Sequence, residues 1–283
     1  MFVKNYECEK QTKLIKFLSD ENLPYNLVCK AVRDKDVKVN DKRVSKDTLL
    51  LAGDKVTIYL KEEKKIDIIF EDENVLVVFK PRNIETVSED GDDFLSKLKS
   101  QTNINLFAVH RLDRNTQGLV VFAKNENSKK SLDRAFKNRT LEKFYLALTY
   151  GAFACKEKTM EAYLKKDEKN SLVQISDKKL DGYEKIITKY KVLKEKDNLS
   201  LVQVELVTGK THQIRAHLSH IGHFIIGDEK YGDTKINKKY KKHYQCLCSY
   251  KLIFHFDASD YLAYLNDKEI SLNENKIDFC QNI

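Results

Sequence analysis

Asp113 is the residue in this sequence best set for chemistry, because it stands between two arginines in His110-Arg111-Leu112-Asp113-Arg114-Asn115-Thr116-Gln117-Gly118, ahead of the apolar run Leu119-Val120-Val121-Phe122-Ala123. Flanking cations favour an ionised carboxylate. A polar loop feeding a buried strand holds such a group firmly while leaving it reachable. On its own, Arg-x-Asp-Arg is more often a surface ion-pair loop. Arginine is nevertheless scarce here, eight of the 51 basic residues. Each one in a chemical position is therefore informative, since its planar fork does what lysine cannot.

A second candidate block is Val207-Thr208-Gly209-Lys210-Thr211-His212-Gln213-Ile214-Arg215-Ala216-His217-Leu218. The Thr-Gly turn is expected to open a helix over 210–221 with Ile214, Leu218 and Ile221 facing inward. Backbone N–H groups at such a start suit a phosphate or carboxylate. His212, His217, His220 and His223 raise a metal reading. Their spacing does not bring all four to one helix face, and no cysteine or carboxylate lies among them. A metal is not expected, and His217 reads as a hydrogen-bonded core residue. The six cysteines are scattered without a CxxC pair and are expected as free thiols.

The full strings say more. HRLDRNTQGLVVFAK resembles the signature of RluA-type pseudouridine synthases, HRLDxxTSGLLLxAK, with Asp113 at the family's catalytic aspartate and Gln117 in place of the usual serine. TGKTHQIRAH resembles the family's TGRTHQIRxH, which implies that Arg215 pairs with Asp113 and makes Lys210 and His212 RNA contacts. Lys210 replaces an arginine there. Leu141-Glu142-Lys143-Phe144-Tyr145-Leu146-Ala147-Leu148, followed by Gly151, resembles the KxYxAxxxG strand, and the resemblance makes Tyr145 the residue that stacks on uracil. Phe79-Lys80-Pro81 resembles the KPAG turn, where Lys80 is either an RNA contact or part of a structural turn. Gly227-Asp228-Glu229-Lys230-Tyr231-Gly232 resembles a GDxxYG turn read as structural, and Cys246-Leu247-Cys248-Ser249-Tyr250 is a looser match.

The resemblance implies an isomerase that converts uridine to pseudouridine in folded RNA without metal, nucleotide or other cofactor. Reaching a stacked base requires flipping it out, at a cost of a few kcal/mol. Arg111 and Arg114 are implied as RNA contacts, with Arg111 occupying the vacated space. Asp113 would then attack the anomeric carbon or remove the 2′ proton. Bacterial large-subunit ribosomal RNA is the first expectation for the target. Transfer RNA is the alternative, and a non-catalytic RNA-binding ribosome assembly factor is the rival reading.

The elements that must position these residues form an α+β pattern. Residues 1–62 read as a small RNA-binding domain: two short helices, a hairpin Val37–Val44 bending at Asn40-Asp41, a turn at Gly53-Asp54 and a strand over 55–60. This order resembles the S-four RNA-binding domain, which makes Lys30, Arg33, Lys38 and Arg43 plausible phosphate contacts. Lys61–Lys65 (KEEKK) reads as a charged link. Residues 63–283 read as the catalytic domain with a mixed, mainly antiparallel sheet. Its hairpin spans 68–79, with strands at 118–124, 142–150, 184–193 and 199–207 and helices at 125–138 and 210–221. The pattern assigns no role to 257–283.

Composition fits these expectations. The net charge of +8 and pI near 8.9 suit a polyanionic partner. The sequence has neither the apolar core of a signal peptide nor a stretch of roughly 20 apolar residues. A cytoplasmic monomer is the expectation.

Overall fold

The computed structural model describes residues 2–60, 65–167 and 171–282, and the chain divides into two compact units, Met1–Lys65 and Ile66–Ile283. Apart from Lys65, the charged link lies outside the described residues.

The first unit runs β1 (Phe2–Glu7), β2 (Thr12–Lys13), α1 (Leu14–Asp20), α2 (Tyr25–Arg33), β3 (Val37–Val39), β4 (Lys42–Val44), β5 (Leu49–Leu50) and β6 (Lys55–Leu60). Four strands form an antiparallel sheet in the order β1-β6-β3-β4. Strict alternation in β6 sends Val56, Ile58 and Leu60 into a core with Leu14, Leu18, Val28 and Val32. Asn40 and Asp41 both take left-handed φ values, 47° and 65°. That is the geometry a two-residue hairpin needs, and Asn and Asp tolerate it. Cross-strand partners Lys38 and Arg43 each hold their cation 5.5 Å from the Tyr59 ring. Two helices on this small sheet are consistent with an S-four-like module.

The second unit continues with β7 (Ile68–Glu71), β8 (Val75–Lys80), α3 (Phe94–Thr102), β9 (Phe107–Ala108), β10 (Gln117–Ala123), α4 (Glu126–Asn138) and β11 (Leu141–Tyr150). Then come β12 (Glu157–Asp167), β13 (Leu172–Ser176), β14 (Glu184–Lys196), β15 (Leu199–Leu206), α5 (Gln213–His220), α6 (Thr234–Lys239), β16 (Leu247–Phe254) and β17 (Glu269–Ser271). One 11-stranded sheet runs β13-β12-β14-β15-β11-β16-β10-β8-β7, with β17 on β16 and β9 on β10. Its pairings are antiparallel except β10 with β16. The fold is α+β with a mixed, mainly antiparallel sheet.

β8 and β10 are unbroken apolar runs because both their faces are covered. Val75, Val77, Leu119 and Val121 face α4 and the C-terminal residues Leu262, Leu265 and Ile270. Leu76, Val78, Val120 and Phe122 face α3 together with Ile277 and Phe279. The C-terminal segment, irregular in pattern, therefore supplies core to both layers. Gly118 permits the parallel junction: its φ is 121°, and a side-chain carbon there would run into the Ser249 carbonyl. Among the described residues no helix is long and apolar enough to cross a membrane.

Candidate active site

The loop between β9 and β10 carries Asp113 and is pinned along its length. His110 accepts a hydrogen bond from Val121 N at Nε2 (2.9 Å) and stacks on Phe136 at 4.6 Å. Burial, with the Lys143 charge second, pushes the His110 pKa down to about 3, so the ring stays a neutral acceptor. The Thr86 hydroxyl accepts from Leu112 N (3.1 Å) and donates to Leu112 O (3.2 Å). Leu112 is buried in the core beside it. Thr116 N bonds back to Asp113 O at 3.0 Å, and Gln245 Nε2 donates to Thr116 Oγ1 at 2.7 Å. The carboxylate thus projects from a backbone with little freedom.

Opposite stands Arg215 on α5. Its Nη1 donates to Asp113 Oδ2 at 2.9 Å, while Nε and Nη2 fork onto Asp228 at 2.7 and 2.9 Å. Burial alone would lower the Arg215 pKa; the hydrogen bonds and charge of Asp228, then those of Asp113, more than offset this and raise it. Asp228 is itself held, its Oδ1 accepting from Lys230 N and Tyr231 N. The Asp228 side chain is 0% exposed whereas that of Asp113 is 24% exposed. One carboxylate therefore anchors the guanidinium and the other faces whatever enters. Gly227, with φ 79°, lets this turn pass against the Tyr244 carbonyl, where a side chain would clash.

His212 completes the cluster, with Nε2 3.9 Å from Asp113 Oδ2 and Nδ1 2.9 Å from the Tyr231 hydroxyl. That hydroxyl also accepts from Val173 N at 2.8 Å, which fixes the position of the imidazole beside Asp113. Burial is the main cause lowering the His212 pKa, and Asp113 only partly opposes it.

Tyr145 sits where the β11–β16 register slips: Phe144 pairs with Lys251 and Tyr145 with Ser249, so the extra residue is Tyr250 of β16 and β11 keeps its alternation. The phenol is 6% exposed, and burial, then the Asp113 charge, raises its pKa and keeps it neutral. A cleft of about 840 Å³ is lined by Asp113, Tyr145, Arg215, Ile214 and Leu247 together with a rim of cations. That space accommodates an extruded base.

Of the RNA contacts expected from sequence, Arg111, Arg114, Lys210 and His212 all line this cleft. The side chains of Arg111 and Arg114 are exposed and make no ion pair among the described residues. Lys210 is paired with Glu184. Its N–H is also taken, by Gln213 Oε1 at 3.1 Å. The helix begins at Gln213 rather than at 210, because His212 adopts a left-handed φ of 55°. Lys80 is a correction. It is 0% exposed, and its ammonium donates to the carbonyls of Pro81, Ile84 and Arg114 at 2.9, 2.8 and 3.3 Å. Burial pushes its pKa down to about 8 against the opposing charges of Asp113 and Glu85. Lys80 braces the loop from inside and cannot reach a phosphate.

In the N-terminal unit, Lys30 is exposed. Arg33 lies 3.7 Å from Asp34, and Arg43 lies 3.7 Å from Asp36 while donating to the Lys35 carbonyl. The histidines after 212 diverge. His217 Nδ1 meets Thr188 Oγ1, His220 meets Asp177, and His223 meets the Tyr150 carbonyl while stacking on Phe153. Asp228, read from the sequence as part of a structural turn, lies in that turn and also holds Arg215. Arg139 and Lys143, which also line the cleft, drew no functional expectation at all.

Comparisons with known proteins agree with the geometry. Residues 74–220 match the family described as RNA pseudouridylate synthase. The chain is 32% identical over 240 residues to a protein of Vibrio parahaemolyticus named ribosomal large subunit pseudouridine synthase C, covering 77% of this chain and 75% of that one. It is 33% identical to an uncharacterized RNA pseudouridine synthase of Mycoplasma capricolum, covering 96% and 97%. The structure of human RNA pseudouridylate synthase domain containing 1 shares the fold, with a TM-score of 0.65, 23% identity, and coverage of 79% of this chain and 90% of that chain.

Proposed function

The chain belongs to the RNA pseudouridylate synthase family, and we propose that this isomerase acts on large-subunit ribosomal RNA with Asp113 as its catalytic carboxylate. The observation that carries the catalytic assignment is the buried Asp228–Arg215 fork, which presents a charged donor to Asp113 inside a cleft that also holds Tyr145. Arg215 keeps Asp113 oriented through a charge-assisted bond. Tyr145 stacks on the extruded uracil. Either Asp113 attacks C1′ as the N1–C1′ bond breaks and is displaced when C5 of the turned uracil bonds to C1′, or it removes the C2′ proton as that bond breaks and returns it when C5 bonds to C1′. In both, C5 loses its proton and N1 gains one. Both routes use the ionised carboxylate.

The ribosomal target is supported by the names of relatives from Vibrio and Rickettsia, each a ribosomal large subunit pseudouridine synthase C. In this reading residues 1–62 hold RNA through Lys30, Arg33, Lys38 and Arg43. Residues 63–283 carry catalysis, with Arg111, Arg114, Lys210 and His212 at the cleft. The test treats unmodified ribosomal and transfer RNA with purified protein and maps pseudouridine by carbodiimide-dependent reverse-transcription stops, with Asp113→Asn in parallel. New stops in large-subunit RNA made only by the wild-type protein support the proposal. Stops confined to transfer RNA replace the target, and tight binding without any stops favours an assembly factor.

A further inference from the structure

Lys143 is a charged residue that the reading above leaves unused. It lies two positions before Tyr145 on the same face of β11 and lines the same cleft. It is 7% exposed, yet among the described residues its ammonium has no hydrogen bond and no carboxylate partner. The ammonium lies 5.5 Å from the Phe136 ring. The stem is buried while the ammonium keeps access to the cleft, so its open partner site faces what enters there.

The neighbouring charge that acts on it worsens the position, because it is another cation. Arg139 lines the cleft beside Lys143, and after burial its charge is the second influence lowering the Lys143 pKa. Arg139 is the residue that ends α4, in a left-handed conformation with φ 62°, where glycine is the usual occupant. Its side chain is exposed and has no ion pair among the described residues. Arg111, on the Asp113 loop, lines the same cleft and also has no ion pair among the described residues.

The alternation of β11 itself shows what is missing. Glu142, between Lys143 and its helix, points to the other side of β11 and bonds His255 at 3.0 Å. No carboxylate is therefore offered to Lys143 from its own strand. Two mutually repelling cations, one of them held in an apolar wall, are poorly arranged for the empty protein and well arranged for a shared anion. The anionic group that an RNA strand offers is its phosphodiester.

We infer that Lys143 and Arg139 form a phosphate subsite that grips the RNA backbone at or beside the target nucleotide. Two residues along a strand span about 7 Å, so a phosphate at Lys143 lies within a nucleotide of a base seated on Tyr145. The inference rests on the target base occupying the cleft at Asp113 and Tyr145. The grip holds the backbone while the base is out of the stack. It draws its strength from two cations whose mutual repulsion is relieved when the phosphate arrives.

The experiment measures binding of an unmodified large-subunit ribosomal RNA transcript from 50 to 200 mM salt, and turnover on the same transcript, for wild type and Lys143→Met. Methionine keeps the apolar stem against Phe136. The expected result is a slope of log affinity against log salt shallower by about 0.7–0.9, the share of one phosphate contact, with KM raised and kcat at saturation nearly unchanged. An unchanged slope in a folded Lys143→Met protein overturns the inference. Should that variant fail to fold, Arg139→Gln at its exposed site carries the same test and the same expectation. Wild-type protein that leaves this transcript unmodified while the slope still falls removes the proposed target and keeps the subsite. Full modification with an unchanged slope does the reverse.

Discussion

On the α5 wall of the cleft the charged groups are matched by protein, whereas on the α4–β11 wall Lys143 and Arg139 are not. Arg215 has two carboxylates, Lys210 has Glu184, and Lys230 donates to the Ser171 carbonyl at 2.8 Å. Lys143 has an aromatic ring and a second cation. The difference separates two tasks. Matched charges fix a geometry before substrate arrives, which is the preorganisation that makes electrostatic catalysis effective. Unmatched charges wait for a ligand that completes them.

The largest expected effects break the matched wall. Asp113→Asn should cut pseudouridine formation by at least ~10³-fold, by analogy with the loss of a catalytic group elsewhere. Its thermal stability and RNA affinity should hold, since the side chain is partly exposed. Single-turnover assays on the unmodified transcript check this, and residual activity near wild type would remove Asp113 from its role. Asp228→Ala should instead strike the fold, because it leaves the buried Arg215 guanidinium short of its fork. The cost expected for such a break is about 3–5 kcal/mol. Urea denaturation would show it, and a loss below about 1 kcal/mol would mean that Arg215 is held by something else.

Next in size is a pH effect on the α5 wall. His217 is buried against Thr188, and burial, then the His220 charge, pushes its pKa down to about 4. Below pH 6.5 the unfolded chain takes a proton there that the folded chain refuses until about pH 4. Stability should therefore fall as pH drops through that window, at up to about 1.4 kcal/mol per unit. His110, with its pKa near 3, acts in the same direction. Denaturation at pH 7 and pH 5.5 tests this, and His217→Asn should flatten the dependence.

The smallest effect sharpens the contrast between the walls. Lys210→Met should alter the salt slope of RNA binding less than Lys143→Met does, because Glu184 already neutralises Lys210. Equal changes would show that the pairing breaks when RNA binds, and the two walls would then differ less than their free geometry suggests.

Much of the fold could be read along the chain wherever local chemistry decided it. The Asn40-Asp41 bend, the alternation of β6 and the apolar runs of β8 and β10 all appear as expected. Helix α4 starts at Glu126 behind an Asn125–Ser128 capping box, close to the expected 125. β12, β13 and α3 escaped notice. β12 intersperses Met160, Ala162 and Leu164 among charges and is half exposed, so its apolar face is thin. The C-terminal segment looked irregular because its buried residues serve two different layers and follow no single period. Lys80 was misread because a lysine next to a proline carries no local mark of whether its ammonium will meet solvent or three carbonyls.

By itself the sequence determined the elements, the family and the candidate carboxylate, since period, turn chemistry and motif spacing act over a few residues. Tertiary structure alone decided which charges are satisfied. Arg215 meets Asp113 across 102 positions of chain and Asp228 across 13, while Lys143 lies two residues from Tyr145 and, among the described residues, meets no carboxylate. Whether a buried charge is costly or useful depends on what the fold brings within hydrogen-bonding distance, and that separation in space has no signature along the chain.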